Sequence, residues 1–112
     1  MTPREDVFKT LSAVGLPGTW VAWRHGSVPP LPWFVFSRES GGEVMADNSN
    51  YACLPRFRVE LMLAESDPQL QARFEEALGS IGPFTSNEGW IPGENAYQVA
   101  YSITWHPHRD NQ

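Results

Sequence analysis

The side chains able to do chemistry are few. His106-Pro107-His108 sets two imidazoles close together near the end of the chain. A metal there would need further ligands and a fixed outer shell, and the polar stretch from His106 to Gln112 reads as a flexible tail. Cys53 and His25 could act as nucleophile and base. Nothing around Cys53 matches a catalytic signature, and a lone cysteine beside a strand packs as a small apolar residue. Ser49 sits in no nucleophile-elbow sequence. Gly15-Leu16-Pro17-Gly18 contains a proline and opens no helix, so it is not a phosphate loop. Asp47, Glu88 and Glu94 fall in expected loops with no pattern that pairs them, and read as solvated charge. Tyr97, Tyr101 and Trp105 could form a base-stacking stripe. No lysines and arginines interleave with them, and Lys9 is the only lysine in the chain. This reading assigns no catalytic residue, no cofactor and no metal ligand, and expects a protein that is not an enzyme.

The elements that would carry these residues can be read from periodicity and punctuation. Thr2 and Glu5 have capping-box spacing, Pro3 suits a first helical position, and Val7, Phe8, Leu11 and Val14 share one face. A helix is expected over about residues 3–14, stopped by Gly15 and Pro17. Thr19 to His25 reads as a strand, and Gly26 to Pro32 as an extended, proline-rich path. Trp33 to Ser37 is a strand without polar alternation. Ala46 to Asn50 is a polar loop of turn formers. Phe57, Val59, Leu61 and Leu63 then alternate with Arg58, Glu60, Met62 and Ala64, a period-two strand. Asp67 and Pro68 cap a second helix whose apolar stripe is Leu70, Phe74, Ala77 and Leu78, with Gly79 and Gly82 at its end. Thr85 to Asn95 reads as irregular. Tyr97, Val99, Tyr101, Ile103 and Trp105 mark one face of a last long strand. The expected fold is α+β: two layers, a mainly antiparallel sheet of about four strands and two helices on one face.

A chain of 112 residues makes one domain, and 41% hydrophobic content can supply its core. No apolar run approaches the ~20 residues of a membrane span, and the polar, acidic start argues against a signal peptide. One cysteine excludes an internal disulfide framework and fits a reducing compartment. A net charge of −5 argues against a general nucleic-acid binder, though not against a surface that DNA passes. Apolar and aromatic residues are abundant in segments that read as loops: Val28, Leu31, Trp33, Trp90 and Ile91 all accompany prolines. Such residues either fold back over the sheet or mark an interface.

The order of landmarks is similar to a known family. A helix ending in GLP precedes a strand, then PPLPWFVF, then ADNSNYACLPRFRVELMLAESDPQLQARFEEAL, then GWIPGENAYQVAYSITW. Over about Val7 to Trp105 this resembles the small tail-terminator, or tail-completion, proteins of tailed phages and prophages. Its most specific segments are Pro30-Leu31-Pro32-Trp33, Ala46 to Tyr51 and Arg58-Val59-Glu60-Leu61. The expected division is a single terminator-like domain over 1–105 and a flexible tail over 106–112, with His106-Pro107-His108 beyond the resemblance. The resemblance implies a subunit that assembles into a homo-oligomeric ring, usually a hexamer. The ring would cap the tail tube, dock the head connector and let DNA through its lumen, with no membrane partner. It would be assembled in the bacterial host cytoplasm and reside in the virion neck. Cys53 and Leu54-Pro55 depart from the family's ordinary polar strand start. The expected subunit or tube contacts are Asp47, Asn48, Ser49, Asn50 and Tyr51, with Trp90, Ile91 and Pro92. Alternative readings are another neck component, such as a head-closure or adaptor protein, and a small intracellular enzyme or ligand-binding domain.

Overall fold

The structure, a computed structural model, describes residues 2–39 and 54–107. Helix α1 spans Pro3–Ser12. Thr2 accepts from the Glu5 backbone N–H, and Glu5 accepts from the Thr2 backbone N–H, so the capping box closes in both directions. The bond from that backbone N–H holds the Glu5 carboxyl below its ordinary value. Helix α2 spans Pro68–Ile81 behind an Asp67 cap. It runs through Gly79, which has open space around it, and stops at Gly82. There a Cβ would lie 1.8 Å from the Thr104 carbonyl oxygen, so the close approach of two backbones requires glycine.

The strands are β1 (Gly18–Trp20), β2 (Trp33–Arg38), β3 (Arg56–Leu63), β4 (Phe84–Ile91) and β5 (Ala96–Thr104). They form one five-stranded sheet in the order β1-β2-β3-β5-β4. Only β1 and β2 run parallel; the other pairs are antiparallel. The α+β reading and the mainly antiparallel sheet therefore hold, with five strands in place of about four.

Three sequence expectations need correction. The strand expected over Thr19 to His25 ends at Trp20, because Val21 adopts a left-handed backbone with φ 72°. A β-branched residue is strained in that region, and the chain leaves the sheet there. The expected irregular stretch from Thr85 to Asn95 is mostly strand β4. Its alternation is hidden because most of its side chains are exposed on both faces, which removes the apolar periodicity that marks a strand. The second helix, expected to end from Gly79 on, runs through Gly79 to Ile81, and the His106 backbone N–H donates to the Ile81 carbonyl.

Both helices cover one sheet face. The core joins Val7 and Leu11 of α1 and Phe74, Leu78 and Ile81 of α2 to the sheet. The sheet supplies Phe34 and Phe36 of β2, Phe57, Val59, Leu61 and Leu63 of β3, and Val99, Tyr101 and Ile103 of β5. Directly paired residues share a face, and the registers Phe34↔Leu61↔Val99 and Phe36↔Val59↔Tyr101 align these stripes. Gly18 lets β1 approach: a Cβ there would stand 2.0 Å from the Phe34 ring. Arg73 ties the layer together by donating to the Val14 carbonyl at 2.9 Å, and the Trp105 indole donates to Asp6 at 2.8 Å.

Candidate functional site: the uncovered sheet face

Among the described residues the opposite sheet face carries no helix, and it divides into two halves. At one end Arg56 donates to the Ser102 hydroxyl at 2.7 Å, and that hydroxyl donates to Glu39 at 2.6 Å. Arg58 pairs with Glu60 at 2.8 Å. These contacts form a solvated polar lattice across β2, β3 and β5.

The other end is apolar. The chain after β1 turns back, so that Val21, Ala22 and Trp23 lie against the starts of β2 and β5 and the end of β3. Trp23 meets Trp33 edge to face, with ring centroids 5.7 Å apart, a favoured aromatic geometry. With Val28, Val35, Met62 and Ile91 they line an open cleft of about 350 Å³. Glu60, Glu94 and Gln98 also line it. The indole N–H groups of Trp23 and Trp33 are buried and find no hydrogen-bond acceptor among the described residues. An unsatisfied buried donor costs about 1–3 kcal/mol. Val28 is 57% exposed. The Leu31–Pro32 peptide in this stretch is cis.

The residues expected at an interface divide accordingly. Ile91 lies in the cleft wall, and Pro92 opens the 3-10 turn Pro92–Glu94 that brings Glu94 to the cleft. Trp90 sits at the same end of the sheet but on the helix-bearing face, opposite Tyr97 in the register, and is 48% exposed. Asp47, Asn48, Ser49, Asn50 and Tyr51 lie outside the described residues, as do Cys53 and His108. Trp23, Met62 and Gln98 were not singled out by sequence reasoning. The signal for Trp23 was masked by the β-rich run around it, which hides the turn at Val21.

A second polar cluster lies beneath α2. Gln71 donates to Glu75 at 3.0 Å and to Glu88 at 2.9 Å. Tyr101 donates to Glu75 and Tyr97 to Glu88. The Tyr97 hydroxyl and then Gln71 hold the Glu88 carboxyl below its ordinary value. Burial, then the Glu75 bond, pushes the Tyr101 phenol far above its ordinary value. These groups fasten α2 to β4 and β5. Among the described residues no His, Cys, Asp and Glu side chains gather into a group of three or more that could hold a metal. Among the described residues no helix is long and apolar enough to cross a membrane.

Comparison with family models found no match, and comparison with curated proteins found none either.

Proposed function

We propose that this chain is a structural assembly subunit of the tail-terminator type, acting through its surface and not through a reaction. The observation that carries the reading is the apolar end of the uncovered sheet face, where Trp23, Trp33, Val28 and Ile91 surround an open cleft. Exposed apolar patches of this kind mark interfaces, and buried tryptophans are frequent energetic anchors in them. The order of landmarks shared with terminator proteins supplies the biological setting: a ring of about six copies closed by heterologous contacts, seated between tail tube and head connector in the virion neck. Trp90, Ile91 and Pro92, together with the sequence segment Asp47 to Tyr51, are the contacts proposed for neighbouring subunits or the tube. The net charge of −5 would let DNA pass through the lumen without being held. Gene neighbourhood would separate a terminator from a head-closure or adaptor protein.

The test is native mass spectrometry of the purified chain, alone and with tail tubes. A closed ring, or capping of tube ends, is the expected result. Val28→Glu should abolish it while leaving the subunit folded. A monomer that ignores tubes would overturn the reading.

One feature favours a second reading, a ligand-binding domain: the cleft places Glu60, Glu94 and Gln98 beside two indoles, the mixture found in small-molecule sites. Saturable change in tryptophan fluorescence with a small cationic aromatic ligand, lost in Glu94→Gln, would support it against the assembly reading.

A further inference from the structure

The two outer strands of the sheet end it very differently. Edge β1 has only three residues, and its Trp20 carbonyl is already occupied by the Ala22 N–H. Edge β4 has eight residues and, among the described residues, pairs with β5 alone. Prolines, inward charges and bulges are the usual protections of such an edge. The sequence FTSNEGWI contains no proline and no lysine, and its one charge, Glu88, is bound by Gln71 and Tyr97 of its own chain.

The register says which backbone groups β4 leaves free. The Thr104 N–H donates to the Pro83 carbonyl, and these two positions continue the Phe84↔Ile103 register by one step. They are therefore a hydrogen-bonded pair, and such pairs alternate along an antiparallel ladder. Thr85, Asn87, Gly89 and Ile91 turn their backbone groups toward β5. Phe84, Ser86, Glu88 and Trp90 turn theirs outward.

We infer that the β4 edge is a docking surface for β4 of a second copy of this chain, in an antiparallel pairing with its two-fold axis at Asn87. Three requirements agree on that register. An antiparallel two-fold keeps both helical layers on the same side, so paired positions must share a face. Outward-turned residues must meet outward-turned residues. All of them must find partners for the edge to be fully used. Only the pairing centred on Asn87 satisfies all three: Phe84 meets Trp90 of the second copy, and Ser86 meets Glu88. That makes about eight backbone hydrogen bonds, two for each of four pairs. It covers Trp90, now 48% exposed, with an aromatic neighbour, and sets no like charges directly opposite each other. Asn87 faces its own copy across the axis with its amide on the uncovered face, as does its β5 partner Ala100. The contact is isologous and closes at two copies. It is separate from the heterologous contact of a ring and does not rest on the terminator reading.

The experiment uses the full chain with Cys53→Ser. Asn87→Cys places two thiols at a pair without backbone bonds, where Cα atoms lie about 4.5 Å apart, within disulfide reach. Thr85→Cys places them about 13 Å apart, four residues along the strand. Mild oxidation should link the Asn87→Cys chains into dimers and leave the Thr85→Cys chains as monomers. Sedimentation of the parent chain should show a dimer, or an even multiple of the ring copy number where a ring also closes. Ser86→Pro, which removes an outward N–H and no β4–β5 bond, should weaken the two-fold contact at least tenfold. A parent chain that stays monomeric at high micromolar concentration would overturn the inference. So would linking of Thr85→Cys as efficient as that of Asn87→Cys. If Ser86→Pro fails to fold, the cysteine pair still decides.

Discussion

The two faces of the sheet are written by the same strands, one residue out of step, and they come to opposite ends. On β3, Phe57, Val59, Leu61 and Leu63 are buried beneath the helices, while Arg56, Arg58 and Glu60 between them spread into a polar lattice. On the covered face the core side chains of β2, β3 and β5 pack against the helices of the same chain. On the other, among the described residues, the apolar half meets the return from Val21 to Trp23, with Val28 and Glu94 at its rim, and keeps an open cleft with two indole donors unsatisfied. The difference separates stability from recognition: residues on the first face decide whether the chain folds, and those at the apolar end of the second are free to decide what it touches.

Substitutions can break that division. The largest effect belongs to Phe34→Ala, which removes a fully buried ring packed on Phe74 and Phe36. It should cost about 3–5 kcal/mol in denaturant melts, and a loss below ~1 kcal/mol would place the core elsewhere. Gly82→Ala forces a Cβ against the Thr104 carbonyl and should cost about 1–3 kcal/mol, as overpacking does. Tyr101→Phe keeps the buried ring and removes the hydroxyl bonded to Glu75. A loss of about 0.5–1.5 kcal/mol is expected at neutral pH.

The same tyrosine makes a pH test. Its folded-state pKa is raised above 10.0, so its contribution is complete below that value and is lost as pH rises beyond it. Tyr101→Phe should therefore flatten the alkaline limb of a thermal-melt pH profile. Glu88 has the opposite sign. Its folded-state pKa is depressed below 4.5, so its contribution is present above that value and disappears as pH falls through the folded one. Glu88→Gln should reduce the acid-side slope, and because Glu88 also holds the Tyr97 phenol above its ordinary value, it should soften the alkaline limb as well. The smallest stability effect is expected on the uncovered face. Val28→Ser should stay within ~0.5 kcal/mol of the parent and yet weaken assembly, which native mass spectrometry would read. A large loss of stability there would show that the cleft is core and not contact surface.

The covered face was legible because its residues obey the periods of their elements. The β3 and β5 stripes alternate without interruption, and both helix starts carry caps that satisfy their first free donors. The uncovered face was legible only in part. Excess aromatic residues near prolines pointed to Trp33, Trp90 and Ile91, but the cleft depends on a reversal at Val21 that no turn-forming residue announces. Strand β4 was lost for a related reason. An edge strand exposed on both faces needs few apolar side chains, and Ser86, Asn87 and Glu88 read as a loop until β5 is placed beside them.

The sheet order also governs when the molecule can exist at all. Among the described residues, strand β5 follows every other element in sequence, yet it lies between β3 and β4. Before residues 96–104 emerge from the ribosome, β3 has a partner on one side only and β4 has none. The nascent chain can form its helices, whose contacts are local, but not its sheet, whose closing pairs are distant in sequence. Completion of this sheet thus waits until β5 has emerged. A chain broken off after Asn95 would expose the apolar β3 stripe beside an unfilled seam, a substrate for chaperones and proteases and not a smaller version of the protein.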